Sequence, residues 1–170
     1  MRPLNFLSII AAAIFSAGCA GYHLGPVNNQ VAGEKSVEVL PFNNQTFQPR
    51  LGDAVTQALR ERLQVDATYH LATGGGGDVV VTGVITRYDR KAIAFLNTDV
   101  ATPESYRVRI TAHVMARERD TGKTLLDKDV DGFALVQVGT DLASAERQTA
   151  PLLAEDLARN ITELLTEGAW

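Results

Sequence analysis

The sequence predicts an α+β fold: a two-layer sandwich, two helices packed on one face of a mixed, mostly antiparallel four-stranded sheet. Three observations predict it. Tyr106, Val108, Ile110, Ala112, Val114 and Ala116 alternate with Arg107, Arg109, Thr111, His113, Met115 and Arg117, the period of a strand with one dry and one wet face. Leu51, Ala54, Val55, Ala58, Leu59 and Leu63 recur at steps of three and four, as do Leu153, Leu157, Ile161, Leu164 and Leu165, which is the apolar stripe of a helix. Asp120-Thr121-Gly122-Lys123 separates two strand-like runs and reads as a hairpin turn. With both helices on one side, the other sheet face has no cover from within the chain.

The elements follow in order. Residues 36–42 read as a short strand with Val37 and Val39 on one face, and Pro41 sets it at an edge or a strand end. Residues 43–49 turn the chain. The first helix then begins, with Pro49 tolerated in its first turn and Arg60, Glu61, Arg62 and Gln64 on the wet side. Residues 68–72 are ambiguous, a fifth strand or a loop. Gly74 to Gly77 form a flexible turn. Residues 79–88 are a β-branched strand, extendable to Phe95 after a bend, and residues 96–104, with Pro103, are a polar loop. After the alternating strand and its hairpin turn, residues 124–138 return as the next strand. A long helix runs from about Asp141 to Glu167. Pro151 kinks it or marks a restart capped by Thr149, and Gly168 stops it.

The N-terminus precedes this domain. Arg2 is followed by an apolar run over residues 4–15 and by Ser16-Ala17-Gly18 before Cys19, the only cysteine of the chain. A basic start, a short apolar core and small residues make an export signal; a spanning helix needs about 20 apolar residues. A cysteine directly after Ala-Gly is the acceptor pattern of lipid-modified bacterial proteins, although Ser16 stands where they usually carry Leu. The expected organisation is a signal peptide over 1–18, a lipidated tether over 19–34 and a sandwich domain over 35–170. A thiol carrying a diacylglyceryl group, plus a further fatty chain such as palmitate, anchors stably where one chain binds only reversibly. Ala20 replaces the Asp that retains such proteins at the inner membrane, which favours the outer membrane and its periplasmic face.

Composition narrows the functions. Removing 18 residues and Arg2 with them leaves 152 residues with 15 basic and 20 acidic side chains, a net charge near −5. This argues against a nucleic-acid binder, whose footprint is basic. A single cysteine excludes an internal disulfide. Asp127, Asp129, Asp131 and Gly132 match the first half of a calcium loop, but its twelfth position is Val138 where a bidentate Glu is required. His23, His70 and His113 are far apart and lack metal-ligand spacing. The glycine run is followed by Asp78 and valines, without the Lys and Ser/Thr of a phosphate loop. No nucleophile motif or carboxylate pair in a cleft is visible, so the expectation is a non-enzymatic protein with no metal or cofactor.

One constellation stands out. Arg107, Arg109, His113 and Arg117 share one face of one strand, with alternate residues about 7 Å apart. Arg87, Arg90 and Lys91 end the strand before it. Two readings stay open: a solvated polar face, or a strip for a phosphorylated ligand, since arginine forks match phosphate oxygens. The acidic residues 127–131 on the neighbouring strand could neutralise part of it.

Cys19, then Gly21-Tyr22-His23-Leu24, then Val39-Leu40-Pro41-Phe42-Asn43-Asn44 and the amphipathic helix resemble the lipopolysaccharide-assembly lipoprotein family LptE. The resemblance covers nearly all of the mature chain. It implies a two-helix, four-strand sandwich that plugs and helps assemble the LptD outer-membrane β-barrel and binds lipopolysaccharide on its way to the cell surface, without catalysis. The lipid-attachment residue it transfers is Cys19. Arg107, Arg109 and Arg117 are expected lipopolysaccharide contacts on the evidence of the sheet face alone. Pieces such as Val-Leu-Pro-Phe-Asn-Asn also occur in CsgG-like secretion-channel lipoproteins and in lipoprotein regulators of penicillin-binding proteins, which are the alternatives.

Overall fold

The computed structural model describes residues 34–96, 99–137 and 142–167. Six strands and two helices follow in the order β1 (Ser36–Val39), β2 (Asn43–Asn44), α1 (Leu51–Asp66), β3 (His70–Leu71), β4 (Val79–Leu96), β5 (Asp99–Glu118), β6 (Thr124–Gln137) and α2 (Leu142–Thr166). The two-layer α+β architecture is as expected; the four-stranded, mostly antiparallel sheet is not. One mixed sheet runs β3-β1-β4-β5-β6, with β2 also paired to β4. The pairs β1/β3, β1/β4 and β2/β4 are parallel, while β4/β5 and β5/β6 are antiparallel. Connectivity is the reason. A tight turn returns a strand antiparallel, whereas α1 is a crossover, and strands joined through a crossover align in parallel.

The second correction lies in the long hairpin. The expected loop over residues 96–104 is mostly strand: β4 and β5 pair to their ends, with Phe95 opposite Pro103 and register shifts at Ala92/Ala94, Ala94/Phe95 and Phe95/Leu96. Proline lacks a ladder donor and is accommodated where pairing is irregular. The ambiguous residues 68–72 do contain a strand, the two-residue edge β3.

Both helices lie on one side of the sheet. The helix α1 packs over β1, β2 and β3, α2 packs over β6 and β5, and the helices pack on each other. One core results, with Val37, Val39, Leu59, Leu63, Val81, Ile110, Val114, Leu157 and Ile161 almost fully buried. Each such Leu or Ile contributes about 1.5–3 kcal/mol of transfer free energy. Two glycines permit the close approach. A Cβ on Gly83 would enter the Phe42 ring, and one on Gly132 would come within 2.8 Å of Leu157 Cβ.

The helix ends differ from expectation. Pro49 precedes α1 instead of entering its first turn, because Arg50 is the N-cap in a left-handed conformation, φ 60°. Thr56 ties the segment between β1 and β2 to α1: its Oγ1 accepts from Phe42 N at 2.9 Å and donates to the Gly52 carbonyl at 2.7 Å. Arg60 is not purely solvated, since it donates to the Val39 carbonyl. No restart occurs at Pro151. The helix α2 is continuous through it, and Thr149 donates to the Ala145 carbonyl one turn back instead of capping a new helix. The stop at Gly168 lies outside the described residues.

Candidate functional site: the open face of the sheet

The face opposite the helices is formed by the polar half of each alternating strand. On β5 it carries Arg107, Arg109, Thr111, His113, Met115 and Arg117, while Val108, Ile110, Ala112, Val114 and Ala116 point to the core. Register places the neighbours. Arg107 lies between Lys91 and Leu135, Arg109 between Asp89 and Phe133, His113 between Val84 and Asp129, and Met115 between Thr82 and Asp127.

Charge divides this face in two. Near its middle the expected acidic strip meets the basic one. His113 Nδ1 lies 3.0 Å from Asp129 and its Nε2 3.2 Å from Asp127. Thr111 donates to Asp131 at 2.6 Å, and Arg109 Nη1 is 3.9 Å from the same carboxylate. The cross-strand neutralisation that the sequence allows is therefore present here. The three aspartates alternate along a strand toward the β5 side chains and do not wrap as a calcium loop. Among the described residues, no group of three or more His, Cys, Asp or Glu is placed to hold a metal ion.

Toward the tip of the β4–β5 hairpin the face is cationic and partly apolar. Arg107 and Lys91 face each other across the strands, both exposed, and neither meets a carboxylate within ion-pair distance among the described residues. The Arg109 guanidinium lies 4.8 Å from the centre of the Phe133 ring, a cation–π geometry. Leu135 is 62% exposed beside it. Arg117 does not belong to this group. It is eight residues from Arg109, about 27 Å along an extended strand, and its guanidinium contacts Met115 Sδ at 3.7 Å. The three arginines singled out in the sequence thus separate into a pair, Arg107 and Arg109, and a remote third. Phe133, Leu135 and Asp89 complete the pair's surroundings. The first two could have been found by counting register back from the turn at residues 120–123. Asp89 could not, because the β4–β5 turn was hidden in what reads as a loop. Cys19 lies outside the described residues.

This arrangement can hold an elongated amphiphile bearing anionic groups: two arginines and a lysine offer donors, and Phe133 and Leu135 offer apolar contact. The fold and face together present an exposed, partly cationic sheet surface beside a closed core.

The family model for LptE, lipopolysaccharide-assembly, matches residues 34–165. The chain belongs to this family of lipopolysaccharide-assembly lipoproteins of the Gram-negative envelope. No curated protein matches it in sequence. Similar solved structures include the hypothetical protein CT253 from Chlamydia trachomatis, with TM-score 0.57 and 10% identity over 82% of this chain and 99% of that one. Protein XCC0632 from Xanthomonas campestris has TM-score 0.54 and 12% identity over 86% and 92%. A minor lipoprotein from Acinetobacter baumannii has TM-score 0.51 and 14% identity over 78% and 92%. At these identities the likeness shows the fold.

Proposed function

We propose that the chain is an outer-membrane lipoprotein, anchored through Cys19, that lodges as a plug in an LptD-like β-barrel, helps it assemble and binds lipopolysaccharide in transit. The observation that carries this reading is the family match over residues 34–165. The surface fits the task. Lipopolysaccharide presents phosphates and acyl chains, and the hairpin end of the open face offers Arg107, Arg109 and Lys91 beside Phe133 and Leu135. Arginine forks pair with phosphate oxygens, and the exposed rings and leucine accept apolar surface. Membrane attachment is assigned to the lipid on Cys19; among the described residues no helix is long and apolar enough to cross a membrane. No catalytic step is assigned.

The test is purification of the lipidated protein from outer membranes in mild detergent. The reading expects a 1:1 complex with a large β-barrel that survives chromatography. Recovery as a free monomer, as a homo-oligomeric ring, or with a penicillin-binding protein in place of a barrel would overturn it.

A further inference from the structure

We infer that the outer edge of β4 beyond Thr86, together with Phe47, is a docking site for an extended acidic segment of a partner protein, added to the sheet as a further strand. On this side β4 pairs with β1 over Val79–Val81 and with β2 at Val84 and Ile85. Pairing on this side ends at Ile85, whose carbonyl accepts from Gln45 N at 3.0 Å, beside the bulge that β4 makes against β5 between Ile85 and Arg87. From there to Leu96 no strand flanks β4 among the described residues on that side. The outward N–H and C=O groups of such a row are a template that an extended chain satisfies.

Three further observations single out this edge. The first is Phe47, fully exposed at the crest of a loop that is tied in place. Asn44 Oδ1 accepts from Thr46 N at 3.0 Å and from Thr46 Oγ1 at 2.7 Å, and Asn44 Nδ2 donates to the Gln48 carbonyl at 2.7 Å. An aromatic side chain held in water by an ordered loop is already positioned as an anchor, because little entropy remains to be lost on binding. The second is the cleft of about 570 Å³ between this loop and β4, lined by Phe47, Gln48, Arg87 and Asp89 among others. The third is the contrast with the opposite edge. There the outward Phe133 N–H of β6 is already occupied by Asp156 Oδ2 at 2.9 Å, whereas the β4 edge carries exposed Ile93 and Phe95.

Charge selects the occupant. Residues 87–95 hold Arg87, Arg90 and Lys91 against Asp89, a basic stretch on a chain of net charge −4. Two copies of this edge would repel each other. The chain's own residues 19–33 contain no Asp or Glu and offer nothing to pair with it. A strand from another protein, with acidic side chains outnumbering basic ones and apolar residues between them, satisfies both the backbone row and the charges.

The test replaces Phe47 and, separately, Ile93 with a benzoylphenylalanine photocrosslinker in the full lipidated chain in intact cells, and maps the captured peptide by mass spectrometry. Both positions are expected to capture one segment of one partner, net acidic. Arg87→Glu should lower the yield about threefold. Backbone amides of residues 87–95 should exchange hydrogen more slowly in the purified complex than in the free chain. Capture of a second copy of this chain, of its own residues 19–33, of a basic segment, of lipid, or of no polypeptide would overturn the inference, as would unchanged amide exchange at the β4 edge.

Discussion

Close approach in this molecule is set by single residues. Gly132 faces Ile110 across the sheet and lies against α2, where a Cβ would meet Leu157 Cβ at 2.8 Å and the Leu153 carbonyl at 2.9 Å. One of those neighbours is backbone, so the helix must move to admit a methyl. Gly132→Ala should destabilise the domain by about 1–3 kcal/mol, read as a shift in the denaturant midpoint. Gly74 has open space around it, and Gly74→Ala should leave the midpoint within about 0.5 kcal/mol. The alternation from Tyr106 to Arg117 was fully legible in the sequence, because each residue's side of the sheet follows from period two alone. What surrounds each arginine was legible on one side only: Phe133 beside Arg109 follows from counting back from the hairpin turn, whereas Lys91 opposite Arg107 lies across a turn that reads as a loop.

Among the elements, β1 depends most on side-chain ties, being four residues long. Asp78 Oδ2 accepts from both Ser36 N and Ser36 Oγ at 2.7 Å, and these bonds hold its carboxyl below the usual carboxylate range. The Lys35 ammonium, 2.5 Å from Glu118, does the same for that carboxyl, helped by Thr121. Both groups bind protons more weakly folded than unfolded. Their contribution is therefore present above the ordinary carboxylate range, about pH 4, and is lost as pH falls through their lowered folded values. The thermal midpoint should drop on acidification below about pH 4, and Asp78→Asn should flatten that slope; an equally steep slope in the variant would count against the assignment. Both helices and the β5–β6 hairpin were legible as elements, since each repeats its pattern over ten or more residues. The two-residue strands β2 and β3 have no period to read, and their parallel pairs add to the parallel β1/β4 pair.

The decisive property at the largest scale is asymmetry: one face of the sheet holds the helices and the core, and the other is left uncovered by the described residues. On the proposed reading the lipid on Cys19 is secondary to that surface. Cys19→Ala should remove the acyl mass and release part of the protein from membranes, while a barrel complex held by the domain's surface persists; loss of the complex would assign the attachment to the lipid. The measurement that bears most directly on the account is lipopolysaccharide binding by Arg107→Glu with Arg109→Glu, alongside its unfolding midpoint. Binding weakened by at least about tenfold with the midpoint unchanged is the expected result. Unchanged binding by a folded double variant would return these arginines to an ordinary solvated face and contradict the account.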